Sequence, residues 1–159
     1  MLFLASMDFS HKHRIGVIGG SSAPKGLLRK AEKLGRIIAE NGDILVCGGL
    51  GGVMEAAARG AKSAGGITIG ILPSSDPGTA NPYIDFPIAT NIGEARNFII
   101  VNTSDALVAI DGKYGTLTEI AAALRLGRTV AGISTWDIPG VRPFETAQEA
   151  MDYIYSVLR

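Results

Sequence analysis

Short, continuous apolar runs alternate with helical patterns along almost the whole of this 159-residue chain, and that alternation leaves few folds open. Arg14–Gly20, Ile44–Cys47, Ile67–Leu72, Phe86–Ala89, Ala106–Ile110 and Val130–Ile133 read as strands. Leu27–Asn41, Gly51–Ala64, Gly93–Asn102, Thr116–Leu126 and Ala147–Leu158 read as helices. The first of these carries Leu27, Leu28, Ala31, Leu34, Ile37 and Ile38 at helical spacing. Strands that are apolar throughout are buried on both faces, the mark of a parallel sheet with helices on each side. The expected fold is therefore α/β: a three-layer α/β/α, doubly wound, mainly parallel sheet of Rossmann-like type. Asn41-Gly42, Gly65-Gly66 and Gly127 stop helices, and Thr146 with Glu149 forms a capping box for the last one. Residues 74–82, rich in Ser, Pro, Gly and Asn, are long for a connection and read as a mobile flap. A loop with Trp136, Pro139 and Pro143 follows the last strand.

Residues 14–159 read as one domain behind a tail of residues 1–13, in which Met7 is an alternative start and His11 and His13 are solvated. The apolar beginning lacks a charged segment and a long apolar stretch, so it does not read as a signal peptide. Acidic and basic residues balance at 15 each. That balance offers no basic field for nucleic acid and no polybasic face for a membrane. The single cysteine, Cys47, excludes an internal disulfide, fits a reducing cytoplasm and reads as a small buried hydrophobe.

Two glycine-rich segments then stand out, Gly48-Gly49-Leu50-Gly51-Gly52-Val53-Met54 and Gly112-Lys113-Tyr114-Gly115-Thr116. Each leaves a strand and opens a helix, the arrangement in which backbone amides cradle a phosphate. Ligands of doubly wound sheets sit at the carboxyl ends of the strands. Gly20, Ser21 and Ser22 leave the first strand and should join the same crevice. Candidate ligand-binding residues are thus Gly20, Ser21, Ser22, Gly48, Gly49, Gly51, Gly52, Met54, Gly112, Lys113, Tyr114, Gly115 and Thr116. Neither loop is a Walker A sequence or a standard dinucleotide fingerprint. Tight strand-to-helix packing is the lesser alternative for the first. Glu119 lies one turn into the helix after the second loop, and Arg96 and Asn97 open another helix. An arginine fork can hold a phosphate or carboxylate, and a carboxylate can stabilise a developing oxocarbenium ion. Arg96 and Glu119 are the candidate catalytic pair. No metal-ligand set is expected.

Both loops resemble those of the LONELY GUY (LOG) superfamily, often mislabelled lysine decarboxylases. Its Gly-Gly-Gly-x-x-Gly-x-Met motif is similar to Gly48–Met54, and its Pro-Gly-Gly-x-Gly-Thr-x-x-Glu motif to Gly112–Glu119. The resemblance covers residues 14 to 135. It implies that Arg96 and Glu119 take the family's catalytic positions and that Asn97 stands beside them at the ligand. It also implies a nucleoside 5′-monophosphate phosphoribohydrolase with no required cofactor, built as a homodimer or tetramer. Asp111 replaces the motif's proline, Lys113 its second glycine and Asn97 the usual lysine, while Glu55 stands where cytokinin-activating members have glycine. These departures look like the subgroup of bacterial proteins of unknown function and the algal molybdenum cofactor carrier, relatives of DNA-processing protein A. For that subgroup the implied role is carrying a small phosphorylated ligand, AMP-like or the molybdenum cofactor, without turnover. No lysine sits in a pyridoxal-phosphate context, which argues against decarboxylation.

Overall fold

The computed structural model describes residues 12–159, so most of the expected tail, including His11, lies outside the described residues. Seven strands form one sheet: β1 (Arg14–Gly19), β2 (Ile44–Cys47), β3 (Ile67–Leu72), β4 (Phe86–Ala89), β5 (Ala106–Ile110), β6 (Thr129–Ile133) and β7 (Val141–Pro143). Their order is β4-β3-β2-β1-β5-β6-β7, and every neighbouring pair is parallel. The α-helices are α1 (Lys25–Glu40), α2 (Val53–Ser63), α3 (Asn97–Thr103), α4 (Tyr114–Arg125) and α5 (Ala147–Leu158).

Alternate residues of the central strands enter different layers, whereas all four residues of the edge strand β4 are exposed. Ile15, Val17, Leu45, Cys47, Val108 and Ile110 pack beneath α1, α2 and α5. Gly16 and Ile18, Val46, Leu107 and Ala109 face α3 and α4. This is the doubly wound three-layer arrangement expected from the apolar runs. The strand order reverses between β1 and β5, so the switch-point crevice opens at their carboxyl ends.

Four departures from the expected elements have local causes. The strand β7 lies where a loop was expected, because Pro139, Arg142 and Pro143 hide its pairing to β6. Proline is tolerated there since β7 is an edge strand. The helix expected from Gly51 starts at Val53, because Gly52 adopts φ 66° and ψ −128°, outside helical space. The helix expected from Gly93 begins as a 3₁₀ turn, Gly93–Arg96, and becomes α-helical at Asn97. Finally, α4 begins at Tyr114 rather than Thr116. The capping box forms as expected: Thr146 Oγ1 accepts from the Glu149 amide at 3.2 Å and the Glu149 carboxylate accepts from the Thr146 amide at 3.1 Å.

The segment expected as a flap is closed on itself and tied to the first glycine loop. Asp76 accepts from the Gly78 amide, and Ser74 and Thr79 bond at 2.9 Å. Asn81 donates through its backbone to Gly49 O at 2.8 Å and through Nδ2 to Leu50 O at 2.9 Å, while its Oδ1 accepts from the Tyr83 amide. Asn81→Ala should therefore accelerate hydrogen exchange at the Tyr83 amide, which loses its acceptor, at a cost of about 1 kcal/mol in stability. Unchanged protection at Tyr83 would show that the tie does not hold the segment.

Among the described residues no helix is long and apolar enough to cross a membrane.

Candidate functional site

Three loops leaving β1, β2 and β5, together with the start of α3, enclose a cleft of about 360 Å³. Of the candidate residues, Gly20, Ser21, Ser22, Gly48, Met54, Arg96, Asn97, Gly112, Lys113, Gly115, Thr116 and Glu119 line it. Gly49, Gly51, Gly52 and Tyr114 are not among its lining. Leu50, Glu94, Ile100 and Asp111 also line it and were not singled out as ligand contacts. Leu50 and Asp111 fall at positions of the quoted motifs and Glu94 stands two residues before Arg96, so position was the available signal; Ile100 reads from sequence only as core.

The first glycine loop is shaped by packing. A Cβ at Gly52 would lie 2.3 Å from Gly20 O, and one at Gly49 would lie 2.6 Å from Leu72 Cδ2. The Val53 amide is already used, donating to Gly20 O at 3.0 Å. Gly48 differs, since its missing side chain opens onto the cleft: a Cβ there would lie 2.7 Å from Met54 Sδ and 2.8 Å from Arg96 Nη2.

The second loop opens α4 with free amides. Asp111 and Gly112 turn at φ 53° and φ 100°, and a Cβ on Gly112 would lie 2.2 Å from Thr116 Oγ1. That close seating fixes the start of α4. Lys113, at the N-cap, makes no side-chain cap bond, and the first recorded helical amide is Leu117 N, donating to Lys113 O at 3.0 Å. The amides of Tyr114, Gly115 and Thr116 have no acceptor among the described residues. A helix start with unspent amides favours an anion. Trp136 braces this loop from behind: its Nε1 donates to Lys113 O at 3.0 Å, and its ring lies 6.0 Å from that of Tyr114.

Opposite stand two buried ionisable groups. Arg96 is 5% exposed and Glu119 is 7% exposed. Arg96 Nε donates to Ile71 O at 2.8 Å, Nη1 donates to Asn97 Oδ1, and Nη1 lies 3.8 Å from Glu94 Oε2. The Glu119 carboxyl makes no hydrogen bond among the described residues. Burial pushes its pKa up to about 8; Arg96 opposes that rise and Glu94 adds to it. Glu119 is therefore mostly protonated at neutral pH. Behind the cleft, burial raises the Cys47 thiol to about 12, which keeps it inert. Among the described residues no group of three or more His, Cys, Asp or Glu side chains is placed to hold a metal ion.

This fold and cleft define a Rossmann-like protein with one switch-point site, and the chain belongs to the SLOG cluster4 family, whose model matches residues 12–156. An uncharacterised protein of Archaeoglobus fulgidus is 49% identical over 144 residues, covering 90% of this chain and 95% of its own length. The probable cytokinin riboside 5′-monophosphate phosphoribohydrolase of rice is 30% identical over 120 residues, 72% of this chain; the match spans about half (53%) of the rice protein. The solved molybdenum cofactor binding protein of Rippkaea orientalis shares 35% identity and a TM-score of 0.89, over 97% of this chain and all (100%) of that one. The molybdenum cofactor carrier protein of Chlamydomonas reinhardtii shares 36% identity and a TM-score of 0.84, over 92% of this chain and 98% of that one. These likenesses agree with the family and subgroup that the glycine motifs resemble. DNA processing protein A of Helicobacter pylori, described as binding single-stranded DNA, shares 18% identity and a TM-score of 0.70, over 92% of this chain and 80% of that one. That likeness concerns the fold alone, and it lends no support to the expected exclusion of nucleic acid.

Proposed function

We propose that this protein binds a small phosphorylated ligand of nucleotide or pterin type in the cleft and carries or presents it without turnover. The observation that carries this reading is the unspent amide cluster at the start of α4, facing one cleft with Ser21, Ser22 and the buried Arg96. The volume of about 360 Å³ suits a ligand of that size. The likeness to a molybdenum cofactor binding protein and a molybdenum cofactor carrier, each over more than nine-tenths of this chain, supports the carrier side. Lys113 adds a cation where the related motif has a bare glycine, which strengthens anion binding at that loop. A cytoplasmic location and a homodimer or tetramer complete the proposal.

Hydrolysis is the second reading, favoured by Arg96 and Glu119 lining the same cleft and by the likeness to the rice phosphoribohydrolase. There the bond from the base nitrogen to the anomeric carbon would break, water would add to that carbon, and base and ribose 5-phosphate would leave. Glu119, protonated at pH 7, would be the proton donor to the departing base.

Incubation with AMP separates the two. A rise in melting temperature without free adenine supports the carrier. Adenine release that vanishes in Glu119→Ala establishes the hydrolase. Neither a shift nor release with AMP or the isolated molybdenum cofactor would sink both.

A further inference from the structure

An arginine side chain is a planar fork of donors, but at Arg96 most of the fork is spent. Its Nε is held by Ile71 O and its Nη1 by Asn97 Oδ1, with Glu94 Oε2 at 3.8 Å on the same nitrogen. Asn97 is itself buried, at 5% exposure, and its Nδ2 lies 3.4 Å from Glu94 Oε2. Only Nη2 is left. It has no hydrogen-bond partner among the described residues and is not one of their wholly enclosed, unpartnered atoms, of which Arg128 Nε is the single case. It points over Gly48, where a Cβ would come within 2.8 Å of it.

We infer that Asn97 is a positioning residue that leaves Arg96 with one unpartnered nitrogen, Nη2, so that Arg96 offers the ligand one nitrogen over Gly48 and not a two-nitrogen clamp. This rests on the reading that the cleft binds a phosphorylated ligand, and it specifies which end of the ligand goes where. A terminal phosphate presents several oxygens and is matched by several convergent donors, which the α4 amides and Thr116 supply. One guanidinium nitrogen has two diverging N–H groups and no parallel neighbour, so it suits an isolated acceptor, such as a carbonyl, ring nitrogen or sugar oxygen, better than the paired oxygens of an oxyanion. The ligand therefore lies with its phosphate at Gly115–Thr116 and a lone acceptor at Arg96. Glu94 keeps the neighbouring nitrogen occupied, so a second oxyanion entering beside it meets a carboxylate.

Two measurements test this separately from the proposed function. The first needs no ligand: nitrogen NMR of the Arg96 guanidinium, assigned by its loss in Arg96→Lys. Nη1 and Nη2 should be distinct in the wild type, average together in Asn97→Ala, and separate again in Asn97→Asp, which keeps the acceptor oxygen. Averaged signals in the wild type, or distinct ones in Asn97→Ala, would overturn the positioning role. The second is calorimetric titration with AMP. A lysine can replace one donor but not a planar fork. Arg96→Lys should stay within several-fold of wild type, whereas Arg96→Ala should lose about tenfold or more. Equal losses in the two variants would overturn single-nitrogen use. A wild type that ignores AMP and inorganic phosphate removes the binding reading instead, and the NMR result still decides the role of Asn97.

Discussion

Gly35→Ala and Gly60→Ala should each lower the melting temperature by about 10 °C, whereas Gly26→Ala should leave it unchanged or raise it slightly. All three glycines lie within helices, where alanine is ordinarily better by up to about 1 kcal/mol. The sign reverses at two of them because α1 and α2 touch backbone to backbone. A Cβ at Gly35 would lie 1.8 Å from Ala57 O, and one at Gly60 would lie 1.8 Å from Glu32 O. Each glycine thus faces the other helix's main chain, and neither obstacle is a side chain able to swing away. Relief demands that the helices separate, which strips contacts from Ala31, Leu34 and Ile38 of α1 and from Ala57 and Ala61 of α2. Overpacking of this kind costs about 3 kcal/mol. Gly26 has nothing within 4 Å of its hypothetical Cβ and serves as the internal control. Thermal unfolding of the three variants decides the matter: equal behaviour at all three sites would mean that the crossing is not close-packed.

Glu119→Gln should stabilise the protein by an amount that grows with pH. The carboxyl titrates near 4.5 in an ordinary setting and at about 8 in the fold, chiefly because it is buried. Between those values the folded protein holds a proton that the unfolded chain has released, so raising the pH drives unfolding. The favourable contribution of the neutral acid is complete below about pH 4.5 and is gone above about pH 8. Glutamine is neutral throughout. Its advantage over glutamate should be close to zero at pH 5 and reach on the order of a few kcal/mol at pH 9, a difference of roughly 5–10 °C in melting temperature. A gain that is constant with pH, or that shrinks as pH rises, would show that Glu119 is ionised in the folded protein. The same experiment in saturating AMP shows whether the ligand prefers the neutral acid, since a ligand that does so displaces the fall to higher pH.

The parallel sheet was legible in the sequence because its strands are uninterrupted apolar runs. Ile44–Cys47, Ile67–Leu72, Phe86–Ala89 and Ala106–Ile110 end where the runs end. The last strand was not legible. Three residues with a proline and an arginine carry no apolar pattern, and β7 exists only because β6 offers it an edge. Helix starts were blurred by glycine, whose part depends on backbone angles that composition does not reveal. In the site, motif spacing brought Arg96, Glu119 and both loops to one crevice. What spacing could not show is how each loop is used. Gly48–Gly52, nearer the family's pattern, uses Gly49 and Gly52 to let backbone and Leu72 approach. The altered loop, with Asp111 and Lys113, leaves helix-start amides unspent. The tie from Asn81 was equally invisible, because an Asn-Pro pair in a polar segment reads as a turn and gives no hint of its distant partners Gly49 and Leu50.

Trp136 is the chain's single tryptophan, and its indole nitrogen is bonded to the carbonyl of Lys113, a residue of the cleft wall. The molecule therefore carries its own optical gauge. Emission from one indole, free of background from any other, reads the setting of the loop at which we propose that the anion binds. Occupancy can be followed in untagged protein by fluorescence alone, at concentrations well below those that calorimetry requires.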